Sequence, residues 1–196
     1  MTNVKLSAAE IELMSNAAII LTKNKIIEQV YQLFGSLSNS YKELLQIENC
    51  LPTEVAAIAP KIAKGENYEG LPWVTLDYPR FFTNNNVFAI RTFFWWGNFG
   101  SITLQLKGNY LDTVNIQSLM EYCNDWYLCC NTAEWEHHFR ADNYLPIKYF
   151  SKKQIESMGF MKLAKKIPLQ EWDNIENFFK QNFNELIQLL ATQTMK

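Results

Sequence analysis

The sequence predicts an α+β fold, an antiparallel β-meander of about four or five strands packed against long N-terminal and C-terminal helices. Two patterns carry this. Apolar residues recur every three or four positions near both ends of the chain, while the middle holds short runs with a period of two, joined by short links. With 196 residues and 48% hydrophobic composition, the chain can bury a sizeable core. A single domain over residues 1–196 is expected, helical over 1–48, mainly sheet over 71–131 and helical over 151–192.

Ser7 followed by Glu10 is a capping-box pattern, and Ile11, Met14, Ala18 and Leu21 follow at roughly helical spacing. A second helix is expected over about 22–47. Its stripe of Ile26, Ile27, Val30, Leu33, Phe34, Leu37, Tyr41, Leu44 and Leu45 suits packing against a sheet. Pro52 and Pro60 bracket one short helix, and KGENYEGLP reads as a turn-rich link leading into a strand.

Strands are predicted over 71–78, 87–96 and 101–107. Ile102, Leu104 and Leu106 alternate with Ser101, Thr103, Gln105 and Lys107, which gives one dry face and one polar face. In the second strand, Phe88, Ile90, Thr92, Phe94 and Trp96 form the better core set, because the other set contains Arg91, whose burial without a partner is costly. For both core sets to share a face, the WGNFG turn must correct the register, and a glycine bulge at Gly97 or Gly100 is the expected device.

That register gathers Trp73, Thr75, Asp77, Arg91, Phe93, Trp95, Ser101, Thr103 and Gln105 on the second face. Two readings follow. Arg91, Phe93, Trp95, Trp73, Asp77, Thr103 and Gln105 can line a ligand surface, or Arg91 can pair with Asp77 while the aromatics complete a second core layer.

Further on, a helix is expected over 112–124, with Ile116, Leu119, Met120 and Cys123 on one side, and a strand over 126–130. EWEHHFRADNYLP then holds both histidines. Glu134, Glu136, His137 and His138 are the candidates for acid-base or metal chemistry; on a helix Glu134 would approach His137 and His138, and a mononuclear site with Glu134 and one histidine would need help from Asp77, Asp142 or a cysteine. Satisfied surface or capping histidines are the plainer expectation, and neither a metal nor a cofactor is predicted.

Near the end, Ser151 starts a Ser-x-x-Gln cap, and residues 160–167 are a short apolar and basic segment whose Lys162, Lys165 and Lys166 suggest a solvated cluster. Pro168 suits a helix start. Trp172, Ile175, Phe178, Phe179, Phe183, Leu186 and Leu190 continue as an amphipathic helix, suited to heavy packing or to a homodimer contact.

Eighteen basic and 20 acidic residues nearly cancel, so no broad field recruits nucleic acid or an anionic membrane. The opening MTNVKLSAAEIEL lacks the apolar segment of a secretory leader, and four cysteines without paired spacing predict reduced thiols, so a cytoplasmic location is expected. No GxSxG, HExxH or phosphate-binding glycine loop occurs.

GENYEGLPWVTLDYPRFF, AIRTFFWWGNFGSITLQLKG and WEHHFRADNY together resemble a family of bacterial proteins of the Bacteroidetes type that has no assigned activity. The resemblance implies a cytoplasmic, single-domain protein and transfers no catalytic residue. It draws attention to Tyr78, Arg80, Arg91, Trp95, Trp96, Asn98, Trp135, His138 and Tyr144 within those stretches. Three functions stand as expectations. The first is a noncatalytic binding protein whose Arg91 face meets a small anionic or aromatic ligand or a protein segment. The others are a hydrolase-like or metal-dependent enzyme centred on Glu134, His137 and His138, and an oligomeric scaffold.

Overall fold

The computed structural model describes residues 4–194. Its centre is a seven-stranded antiparallel sheet, two strands wider than the upper expectation, with helices at both ends of the chain. The strands are β1 (Lys61–Tyr68), β2 (Leu71–Phe82), β3 (Val87–Trp95), β4 (Phe99–Lys107), β5 (Tyr127–Cys129), β6 (Tyr144–Pro146) and β7 (Phe160–Pro168). Their order is β1-β2-β3-β4-β7-β5-β6, so only the first four strands form a meander.

Three strands correct the sequence reading, the least of them β6, only three residues long. KGENY is not a link but most of β1, an edge strand that buries no residue and so shows no apolar alternation. A two-residue turn, Glu69 and Gly70, both at positive φ, joins it to β2, as tight hairpins require. The segment assigned to the C-terminal helical region contains β7, which lies inside the sheet. There Met161, Leu163 and Ile167 enter the core while Lys162 and Ala164 are buried on the opposite face, so the lysine at 162 is not a solvated charge.

The core register matches the expectation. Phe88 pairs with Leu106, Ile90 with Leu104 and Thr92 with Ile102, so the apolar sets of β3 and β4 share one face. The correction comes from a three-residue loop, Trp96 to Asn98, whose Gly97 sits at φ 70°; the ladder itself runs unbroken from Trp95 with Phe99 onward. In β2 the register shifts between Asp77 and Arg80, around the cis peptide of Tyr78 and Pro79. Pairing with β1 has ended there, so the missing proline N–H costs no ladder bond on that side.

Helices cover the dry face. α1 (Ala8–Ser15) carries the expected capping box, with the Ser7 hydroxyl accepting from the Glu10 amide and the Glu10 carboxylate accepting from the Ser7 amide. It buries no side chain. α2 (Ala17–Glu48), capped by Asn16, starts earlier than expected, and its stripe reaches the sheet only from Ile26 onward, leaving Ile11, Met14 and Leu21 exposed. Three short helices follow: α3 (Thr53–Ala56), α4 (Asn109–Asp112) and α5 (Ile116–Tyr122); α5 buries Ile116 and Leu119.

After α6 (Lys152–Glu156), Pro168 ends β7 instead of opening an α-helix. Leu169–Asn174 is a 3₁₀ segment holding Trp172, and α7 (Ile175–Thr194) begins after it. Two of the three α7 phenylalanines are consumed by packing, and Phe178 stays half-buried. Tyr41 stacks on Phe183 with ring centroids 3.6 Å apart, Phe34 meets Phe179 edge-on, and both α7 rings are fully buried. Burying each such ring contributes about 1.5–3 kcal/mol relative to leaving it in water. The Tyr41 hydroxyl spends its polarity on Thr92, 3.1 Å away, the one hydroxyl in the core set of β3. Among the described residues no helix is long and apolar enough to cross a membrane.

Candidate functional site

Because side chains alternate along each strand, Trp73, Thr75, Asp77, Arg91, Phe93, Trp95, Ser101, Thr103 and Gln105 fall on the face away from α2 and α7. Lys162, Ala164, Tyr127, Cys129 and Tyr144 extend that face across β7, β5 and β6. The segment between β5 and β6 lies over it as an irregular strap. It is not the helix that would have brought Glu134 to both histidines.

Polar contacts tie the strap down. The Glu134 carboxylate accepts from Lys107 Nζ at 2.6 Å and from Gln105 Nε2 at 3.2 Å. Tyr68 Oη accepts from the amides of His137 and His138 and donates to Glu136 Oε2. Lys162 Nζ donates to the Glu136 carbonyl, and Asn143 Nδ2 to the His138 carbonyl. Loss of hydration pulls the Lys162 ammonium down to about 8, which makes it the most perturbed amine on this face. Phe139 completes the anchoring by stacking on Tyr144 and meeting Phe99 and Tyr127 edge-on.

Arg91 sits under the strap with most of its donors occupied. Nε and Nη2 donate to the two oxygens of Asp77 at 2.6 and 2.8 Å, and Nη1 lies 3.1 Å from His137 Nε2. A guanidinium can only donate, so Nε2 of His137 must accept, and the neutral ring carries its proton on Nδ1. Burial, and then the charges of Arg91, Lys162 and His138, hold the ring well below the ordinary histidine range and therefore neutral. The pairing of Arg91 with Asp77 is the feature expected of a second core layer, and Phe93, Trp95 and Thr103 are indeed buried.

The layer is nevertheless incomplete. A cavity of about 420 Å³ remains between β1, β2, β3 and the strap. Of the expected ligand residues, Trp73, Asp77, Arg91 and Phe93 line it. Trp95 does not; its indole N–H donates to the Tyr68 carbonyl, and the ring packs on Tyr68 and Phe99. Thr103 and Gln105 also lie outside the cavity wall.

The sequence reading placed none of Lys61, Ala63, Asn67 and Tyr68 at a site and singled out Trp135 only through the resemblance, yet all five line the cavity. The Glu-Gly dipeptide before LPWV was the available signal for the β1 hairpin that delivers Asn67 and Tyr68. A larger cleft of about 780 Å³, lined by Cys50, Phe88, Tyr110 and Glu156 among others, includes none of the second-face residues.

The two histidines diverge. His137 turns to Arg91 and Phe93, while His138, buried to 4% exposure, groups with Glu69 and Glu136, one ligand-capable atom from each lying within 4.8 Å of the others. Glu134 belongs to neither set, and Asp142 Oδ1 lies 4.0 Å from His138 Nδ1. No protein-family model, curated protein sequence or solved structure shows a significant match to the chain.

Proposed function

We propose that the protein is a noncatalytic binder of a small, ring-bearing molecule, held between β1 to β3 and the strap, and that it acts in the reducing cytoplasm of a bacterial cell. The observation that carries this reading is the composition of the cavity wall. Tyr68, Trp73, Phe93 and Trp135 supply aromatic surface around a volume within the range of small-molecule sites. Thr75 and the His137 Nδ1–H offer a few fixed polar contacts. Arg91 is not a free anion clamp, since Asp77 already neutralises it in bidentate fashion. Lys61 also lines the cavity but is exposed to water, which screens its charge, so a neutral ring carrying a hydrogen-bond acceptor suits the inner wall better than a carboxylate. Four free cysteines, three of them buried, agree with a reducing compartment.

The alternative of a hydrolytic centre at Glu134, His137 and His138 is less favoured, because Glu134 is occupied by Lys107 and Gln105, and His137 Nε2 by Arg91. Titration of benzamide and benzoate, followed by the indole N–H resonances of the protein, tests the reading. Saturable movement of the Trp73 and Trp135 signals is expected, larger for benzamide, with the Trp135 shift lost in Trp73→Leu and both lost in Phe93→Ala. No saturable shift with either probe, or one confined to Trp172, would sink it.

A further inference from the structure

His138 is almost wholly buried, and its Nδ1 is a buried atom with no hydrogen-bond partner among the described residues. Its Nε2 lies 3.6 Å from Glu136 Oε2 and its Nδ1 lies 4.0 Å from Asp142 Oδ1, both beyond hydrogen-bond reach. Leaving a buried imidazole nitrogen without a partner is costly, so the arrangement calls for a group that fixes the proton on Nδ1 and draws the Asp142 carboxylate onto it. Glu136 stands two residues away on the strap, and Glu69 is brought in by the β1–β2 turn. One atom from each of the three residues can be chosen within 4.8 Å of the others. Tetrahedral donors bound at about 2.0–2.2 Å to one ion lie about 3.3–3.6 Å apart, so movements on the order of 1 Å would close the set.

We propose that Glu69, Glu136 and His138 Nε2 bind a divalent transition ion of the zinc class. An imidazole nitrogen beside two carboxylates suits such an ion better than calcium or magnesium, which prefer oxygen alone. Binding through Nε2 places the proton on Nδ1, facing Asp142, whose carboxylate then orients the ring as an outer-shell partner. Arg140, paired with both oxygens of Glu69, is the competing cation that the ion displaces. Three protein ligands leave a coordination position open, and a cleft of about 330 Å³ lined by Trp95, Phe139, Arg140 and Lys166 adjoins Glu69 and His138 there. The site is separate from the cavity under Arg91 and does not depend on a ligand binding there.

Calorimetric titration of untagged, chelator-stripped full-length protein with zinc chloride tests the proposal, with cobalt(II) absorption as a second readout. A single equivalent should bind. Glu69→Gln and His138→Gln should each weaken binding roughly tenfold or more, with Asp142→Asn giving a smaller loss. Arg140→Met should tighten it. Glu69 lies at an exposed turn, so its variant and that of Arg140 decide the matter even if His138→Gln fails to fold. Absence of stoichiometric uptake would overturn the assignment; so would uptake unchanged in Glu69→Gln together with no gain in Arg140→Met, which would point instead to an adventitious ligand such as the exposed Cys130.

Discussion

Gly65 and Trp73 are register partners across β1 and β2, and a β-carbon built on Gly65 would fall 2.6 Å from the indole ring. The ring therefore lies over a strand position that has no side chain, and this close approach fixes one wall of the cavity. Gly65→Ala should push the indole away and cost about 1–3 kcal/mol as overpacking does. Urea unfolding measures the loss. A ligand bound against Trp73 should weaken in parallel, whereas Gly35→Ala, with open space around it, should leave binding unchanged.

Asp77 and Arg91 form a bidentate pair with side chains only 12% and 17% exposed. Removing one partner strands the other charge. Asp77→Ala is expected to cost about 3–5 kcal/mol, while the double replacement Asp77→Leu with Arg91→Met should recover most of that loss. Chemical unfolding of the single and double variants checks both directions. A loss in Asp77→Ala near that of an exposed ion pair would contradict the buried-pair description.

Tyr68 holds the strap through one oxygen, accepting from the His137 and His138 amides. Tyr68→Phe leaves those N–H groups unpaired, and each unsatisfied buried group costs about 1–3 kcal/mol. Hydrogen exchange should accelerate at both amides while the β3 and β4 ladders remain protected. Equal acceleration across the sheet would mean that the strap and sheet open as one unit.

Lys162 is fully buried, and its amine is held down to about 8 by loss of hydration. The unfolded chain, with lysine near its ordinary 10.5, binds more protons than the folded chain between those values. This residue's contribution to stability should therefore rise with pH from about 8 to about 10.5 and be flat below. Cys123, raised to about 12 by burial, pulls the other way over part of that range. The stability difference between wild type and Lys162→Met against pH isolates the lysine, and a difference that stays constant across the window would contradict the assignment.

Phe183 is stacked on Tyr41 at the centre of the helical layer and is fully buried. Phe183→Ala should cost about 3–5 kcal/mol through lost transfer and cavity formation. Trp172, in the 3₁₀ segment and 37% exposed, should cost much less on the same change. Thermal melts of the two variants compare them directly.

Much of the sheet was legible from local pattern. Alternation in IRTFFW and SITLQL separated the two faces, and the even-numbered apolar residues of β3 and β4 do share the core. Three strands were not legible: β6 is only three residues long, and β1 and β7 were hidden for opposite reasons. β1 is an edge strand with little to bury, so its residues carry no apolar period. β7 is interior, and its lysines read as surface because their partners are supplied from distant parts of the chain, the Glu136 carbonyl for Lys162 and Asp125 with Glu185 for Lys165.

The candidate sites divide in the same way. By itself the sequence determined the long helices, the face that carries Arg91 and the absence of any dominant net charge, because these follow from short-range periodicity and composition. Only the tertiary structure decided that Asp77 and His137 occupy Arg91, that Trp95 is a packing residue and Trp73 a cavity wall, and that Glu69 meets His138 in place of Glu134. Such pairings join residues far apart in the chain, and they depend on how the strap drapes over the sheet, which no local pattern encodes.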